Sequence, residues 1–404
     1  MISLKMAARQ VASAGLLVGL ITTQGISSDI NITAKVTSDE KLKSFLNEHI
    51  TEGFSGTLLI AKDGRIVHAQ GYGFADRENK IPNTLDTVYS TGTLTRYFTA
   101  AAILKLAEQG KLSLSDTLGK FFDNVPVDKQ DITVHHLLTH TPGLLSVEEW
   151  DAFETIDTDE FLKDVFSAEN EISPAVYLPK FSFKPGDRVI EFSEGYGLLS
   201  LIIEKQSGQS FEAFLKENLF DPAGITDTGY LLPDWDKSRI ANGYVGEDGE
   251  NWGNLPERLN KLGKLPPYIQ GSMGLLSTAS DLYKWHTALY GGKVLSNASL
   301  KLLHKRHTAI PEAFEADIDA AYGIQVSETW SGTPWIFNIG SSVIRANLPA
   351  FKVTYHYFPV EDTVVIFAGN TPLSREARQA LPAFVRVLLE PDYKPVSSDS
   401  KQAQ

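Results

Sequence analysis

Thr93-Leu94-Thr95-Arg96-Tyr97-Phe98-Thr99-Ala100 opens a run that continues to Gly110. Phe98, Ala102 and Leu106, with Ile103, Leu104 and Ala107, return at three- and four-residue spacing, the period of a helix with one apolar face. Gly110 stands where a left-handed glycine ends a helix. The first turn carries the hydroxyl of Thr93 and the cation of Arg96. Three residues apart, they fall on one side. A helix start that presents a hydroxyl beside a basic group is an arrangement suited to nucleophilic chemistry.

On either side of this helix the pattern changes to strands. Gly56-Thr57-Leu58-Leu59-Ile60-Ala61, then Asp63-Gly64, then residues 65–73 predict a hairpin, because Asp-Gly favours a tight turn between β-rich flanks. Residues 351–358 and 363–368 predict a second hairpin about Pro359 to Asp362. Each hairpin alone would expose an apolar face and needs further strands. The two are therefore expected in one antiparallel sheet, although almost 280 residues separate them. Ser38-Asp39-Glu40-Lys41 begins a helix to about Glu48, with Ser38 read as its N-cap. Ser280 is read as the cap of a helix that ends at Gly291-Gly292. The last helix runs from Ser374 to about Leu389, with Pro382 inside it.

Bulk composition narrows the function. The net charge of −13 disfavours nucleic acid. The absence of cysteine excludes disulfides, thiolate metal sites and a cysteine nucleophile. No His-Glu-x-x-His spacing and no Gly-x-Ser-x-Gly elbow occurs. No metal or other cofactor is expected. His135, His136 and His140 lie close in sequence, in a segment read as structural. Lys5 and Arg9 precede a short apolar core from Val11 to Ile21, which reads as a signal peptide over 1–28 and is too short to span a bilayer. The expected location is periplasmic or secreted, with no transmembrane anchor.

The words around Thr93 resemble the serine β-lactamase and penicillin-binding-protein superfamily, in its class C β-lactamase, D-alanyl-D-alanine carboxypeptidase and esterase branch. His136-Leu137-Leu138-Thr139-His140-Thr141-Pro142-Gly143-Leu144 and Met273-Gly274-Leu275-Leu276-Ser277-Thr278-Ala279-Ser280-Asp281-Leu282 resemble two further segments of it. The resemblance covers about residues 38 to 390. It implies an α/β (α+β) fold, with an antiparallel sheet flanked by terminal helices plus an all-helical lobe, and the active site between them. On this reading residues 29–37 are a linker. The α/β lobe takes in about 38–92 and 330–390, the helical lobe about 93–329. Residues 391–404 form a disordered tail.

In the resembling enzymes a serine attacks a carbonyl, and a lysine one turn later helps remove its proton. A tyrosine assists from the helical lobe, and a lysine or histidine on a strand completes the pocket. Here Thr93 falls at the serine and Arg96 at the lysine. A guanidinium does not give up its proton in a protein and cannot act as general base. Glu191-Phe192-Ser193 falls at the Tyr-x-Asn motif, with Glu191 at the tyrosine and Ser193 at the asparagine; a register one residue later gives Phe192 and Glu194. Asn338-Ile339-Gly340 falls at the Lys/His-x-Gly motif, followed by Ser341. The oxyanion donors would be the backbone of Thr93 and Ser341. The resemblance also places Arg96 and Glu191 face to face, so a salt bridge beneath Thr93 is expected, costing up to a few kcal/mol on Glu191→Ala if it is well buried. Two functions follow from this site. One is an exported relative with a degenerate site that binds small-molecule, peptide-like or cell-wall-derived ligands. The alternative is an acyl-transfer enzyme of the esterase, D-Ala-D-Ala peptidase or β-lactamase kind using Thr93.

Overall fold

The computed structural model describes residues 32–50, 54–144, 157–167, 183–245, 249–262, 265–267, 269–310, 317–341, 351–371, 375–390 and 392–394. The segment read as a signal peptide lies outside them, as does most of the expected 391–404 tail. Among the described residues the main sheet has eight strands: β1 (Gly56–Lys62), β2 (Arg65–Tyr72), β3 (Thr308–Ala309), β4 (Asp319–Ala320), β5 (Gln325–Glu328), β6 (Pro334–Ser341), β7 (Lys352–Phe358) and β8 (Thr363–Gly369). Their order is β2-β1-β8-β7-β6-β5-β4-β3. The pairing of β1 with β8, from Gly56 opposite Gly369 to Lys62 opposite Thr363, joins the two predicted hairpins in one antiparallel sheet. Asp63 and Gly64 turn the first hairpin with φ of 50° and 66°, the positive values a tight two-residue hairpin turn needs.

The sheet has two buried faces. On one, Leu58, Ile60, Val365 and Phe367 meet the terminal helices α1 (Glu40–Phe45) and Arg375–Leu389 through Leu42, Phe45, Phe384 and Val387. Pro382 lies inside the second of these. On the other face Tyr355 of β7 meets Tyr97 and His286. Tyr97 belongs to α2 (Thr95–Glu108), and His286 to a later helix (Ala279–Tyr290). The period of α2 predicts a buried helix with one apolar face; the eleven residues from Thr95 to Leu104 together with Leu106 are buried, so the burial extends beyond that face.

The polar residues of α2 explain how that packing is tolerated. Thr95 donates to the carbonyl of Gly92 at 2.7 Å and accepts from the N–H of Leu275 at 3.1 Å. Thr99 donates to the carbonyl of Gly271 at 2.7 Å. The Tyr97 hydroxyl meets His304 Nε2 at 2.6 Å. The buried hydroxyls of Thr95 and Thr99 are thus matched to backbone and that of Tyr97 to a side chain, as burial requires. A short 3₁₀ turn, Gly92–Leu94, feeds the helix, and β6 packs against that turn.

Several sequence readings shift. Asp39, not Ser38, caps α1, since its carboxylate accepts from the N–H groups of Lys41 and Leu42 and its charge suits a helix N-terminus better than a hydroxyl. Thr278, not Ser280, caps the helix Ala279–Tyr290, accepting from Asp281 at 3.0 Å. Ser280 lies inside the first turn and donates to the carbonyl of Leu85. The short strands β3, β4 and β5 belong to the main sheet, so the sheet resumes before residue 330. Lys35, within the expected linker, pairs with Ala69 of β2.

Gly323, in the turn between β4 and β5, has φ +69°, and a Cβ there would lie 2.3 Å from the carbonyl oxygen of Arg96. Gly332 has φ +76° with open space around its Cβ position. Gly332→Ala should cost roughly 1–2 kcal/mol, the penalty of left-handed backbone. Gly323→Ala should cost clearly more, because the sheet must draw back from α2. Urea unfolding of the two variants compares them; equal midpoints would show that this close approach is not what sets α2 against the sheet.

Candidate functional site

Arg96 is the second residue of α2, so its side chain leaves a buried helix and is itself only 7% exposed. Its Nη1 donates to Glu191 Oε1 at 3.0 Å and its Nη2 to Ser193 Oγ at 2.8 Å. Among the described residues Nε has no hydrogen-bond partner. The ring of Tyr196 lies 5.7 Å from the guanidinium carbon, within cation–π range. Arg96 therefore takes up the first of the two registers, with Glu191 and Ser193. In the second register Phe192 is the buried residue before the helix Ser193–Ser207 and Glu194 is buried in its first turn.

Glu191 owes its place to His140. The carbonyl of His140 accepts from the N–H of Ile190 at 2.9 Å, and His140 Nδ1 accepts from the N–H of Phe192 at 3.1 Å. Both neighbours of Glu191 are thus tied to one residue. His140 has φ +58°, a left-handed conformation uncommon outside glycine. Its ring sits 5.1 Å from that of Tyr196, whose hydroxyl donates to the carbonyl of Leu138 at 2.8 Å. The sequence reading treated this segment as structural only and missed His140. The available signal was a polar Thr-His-Thr triplet ending an apolar helical word, with histidine among the residue types that tolerate left-handed backbone.

Electrostatics follow from this packing. The Arg96 guanidinium lowers the pKa of Glu191; burial opposes this and the nearby His140 adds to it. Burial, and next Arg96, push His140 down to about 3, against a weaker upward pull from Glu191. Because Nδ1 accepts a backbone N–H, the neutral ring carries its proton on Nε2. His140 is thus fixed as a donor on that side. Glu191 is closely packed on its inner side, yet 72% of its side chain is open to solvent. Water reaching one partner screens the attraction and weakens the pair.

Thr93 is half-buried in the 3₁₀ turn. Among the described residues its hydroxyl takes no hydrogen bond, and the Arg96 donors with partners serve Glu191 and Ser193. Asn338 of β6 stands opposite Tyr355 and so faces the α2 side of the sheet. It is 3% exposed, and among the described residues its carbonyl has no partner. Gly340 and Ser341 end β6, paired with Val353 and Lys352. Strand β6 and the 92–94 turn are packed together, so Thr93, Arg96, Glu191, Ser193 and Asn338 come from elements that converge. The other histidines of the same segment diverge: His135 Nδ1 meets the Tyr322 hydroxyl at 2.8 Å, and His136 Nδ1 accepts from the Thr133 N–H.

The family model described as beta-lactamase matches residues 42–390. The chain belongs to the β-lactamase family. Among its relatives in that family is penicillin-binding protein PbpX of Bacillus subtilis (strain 168), 31% identical over 341 residues, spanning 83% of this chain and 74% of the relative. Penicillin-binding protein 4* of the same strain is 31% identical over 254 residues, 61% of this chain and 54% of that protein; the match thus spans about half of the second relative. A crystal structure of a penicillin-binding protein from Bacillus halodurans superposes with a TM-score of 0.68 at 26% identity, covering 85% of this β-lactamase family member and 98% of the other chain. Among the described residues no helix is long and apolar enough to cross a membrane.

Two outcomes test this geometry. Replacing Glu191 with alanine opens the Arg96 side of the site to water, so it should cost about 1 kcal/mol or less, not the few kcal/mol expected of a sealed pair; urea titration measures it, and a larger loss would mean the pair is effectively dry. Acid should also destabilise the fold. Between about pH 6.5 and about 3, unfolded chains bind a proton at His140 that the folded protein refuses, so stability falls as pH drops. His286 and His304, held down to about 3, and His68 and His356, to about 4, act with the same sign. Glu191, with its lowered pKa, adds stability present above the unfolded carboxylate value and lost at still lower pH. His140→Asn, which keeps a residue tolerant of positive φ, should flatten the dependence between pH 6.5 and 4 by up to about one proton. An unchanged slope would show that His140 is not the group involved.

Proposed function

We propose that this protein is a non-catalytic member of its family that binds a peptide-like, cell-wall-derived ligand beside Thr93. The observation that carries this reading is the arrangement around Arg96. The position that supplies the lysine in resembling enzymes holds a cation that keeps its proton. Its hydrogen bonds run to Glu191 and Ser193, and among the described residues the Thr93 hydroxyl has no acceptor. Glu191 is a poor base, since the adjacent guanidinium favours its ionised, weakly basic form. His140 presents a proton on its free side. A β-branched hydroxyl with no group to take its proton is a weak nucleophile.

Support for a peptide-like ligand comes from the company the chain keeps: relatives named penicillin-binding proteins, one of them 31% identical over most of this chain. The charged and then apolar N-terminal sequence supports export to the periplasm or beyond.

The test is direct. Purified protein should hydrolyse a chromogenic cephalosporin or a nitrophenyl ester no faster than a Thr93→Ala control. Positioned acid–base catalysis contributes roughly 10²–10⁴-fold, so its loss is measurable. Intact mass after incubation with benzylpenicillin should show no adduct. Robust turnover that disappears in Thr93→Ala, or an acyl group on Thr93, would establish the acyl-transfer alternative. Ser at 93 together with Lys at 96 should not restore turnover, because Glu191 and Asn338 remain.

A further inference from the structure

The two charges of the central pair are presented unequally. The Arg96 side chain is 7% exposed and that of Glu191 is 72% exposed. Arg96 occupies Oε1 of Glu191. Among the described residues Oε2 has no partner. What solvent meets at this place is therefore the carboxylate end of the pair, with the cation withdrawn behind it.

The neighbouring strand adds to the same polarity. Asn338 occupies a position where the resembling enzymes carry a lysine or histidine, and a carboxamide brings no charge. It is 3% exposed, its carbonyl has no partner, and its place opposite Tyr355 turns it toward α2 and the 92–94 turn. No hydrogen bond holds its NH₂ among the described residues either, so the amide can turn to offer its oxygen. Among the described residues the site thus holds an ionised carboxylate oxygen and an amide carbonyl, both without partners, with a hydroxyl at Thr93, while the Arg96 cation is withdrawn. A ligand carboxylate would meet Glu191 first and be repelled. An ammonium group matches: it has three donors and one positive charge for a set of acceptors that includes one negative charge.

Resting on the ligand-binding reading of this site, we propose that its ligand carries a protonated primary amine, received by Glu191 Oε2. The amine is either the amino terminus of a short peptide or the amine of a lysine-like side chain. Arg96 acts behind it as the group that fixes the carboxylate in place.

Four probes distinguish these cases by calorimetric titration: alanyl-alanine amide, with a free α-amine; its N-acetyl derivative, uncharged; N-acetyl-alanyl-lysine amide, with a side-chain amine only; and N-acetyl-alanyl-alanine, with a carboxylate only. At least one amine probe should bind about ten-fold or more tighter than the uncharged one, the scale of a charge-assisted hydrogen bond. Which amine probe binds identifies the source. Glu191→Gln should remove that preference. Tighter binding of the carboxylate probe, an amine preference that persists in Glu191→Gln, or no binding by any probe would each overturn the proposal. Carboxylate binding without an acyl adduct would overturn the amine assignment alone and leave the non-catalytic binding reading standing. An adduct on Thr93 would overturn that reading instead. The comparison among probes is made on the unaltered protein, so it holds even if Glu191→Gln folds poorly.

Discussion

A guanidinium on a helix that is buried on every side has few ways to be accommodated. Helix α2 is packed against the sheet by Tyr97 and Tyr355, approached by Gly323 at the Arg96 carbonyl, and tied through Thr95 and Thr99 to the 271–275 segment. The charge on Arg96 must find partners where the helix starts. It finds a carboxylate and a hydroxyl at the start of the helix Ser193–Ser207. Those partners are there because His140 adopts left-handed backbone and binds both Ile190 and Phe192. Each of these contacts fixes one member of the set, so the positions of α2, the 138–141 loop and residues 190–193 depend on one another.

The same interaction determines the chemistry. A lysine at position 96 could exchange a proton with a neighbouring hydroxyl; an arginine there cannot. Paired with Glu191, Arg96 also keeps the adjacent carboxylate ionised and weakly basic. Near neutral pH Glu191 is thus held charged and His140 neutral. That suits recognition by fixed charge and hydrogen bonding, which needs stable states. It does not suit proton transfer, which needs a group poised near the working pH.

The sequence revealed the sheet because hairpin turns and alternating strands are local signals, and Asp63-Gly64 is a strong one. It revealed the pairing of Arg96 with Glu191 only through resemblance, since ninety-five residues separate them and nothing local joins them. What escaped was tertiary. That Asp39 rather than Ser38 would cap the first helix depended on which of two competent residues the chain bent at. That α2 would be buried all round depended on Thr91, Thr95 and Thr99 finding backbone partners far along the chain. The unequal exposure of Arg96 and Glu191 depended on the depth of each element, which periodicity does not encode. His140 was visible as a residue, but its backbone conformation was not.

On the proposed function, the Thr93 position lacks a proton acceptor because Arg96 and Glu191 are committed to each other. Placing the family's own nucleophile there, as Thr93→Ser with everything else unchanged, removes the β-methyl and leaves only the acceptor in question. After incubation with benzylpenicillin, intact-mass measurement should show the variant unmodified. A stoichiometric acyl adduct on residue 93 would contradict the account, since it would mean that a competent base stands beside that residue.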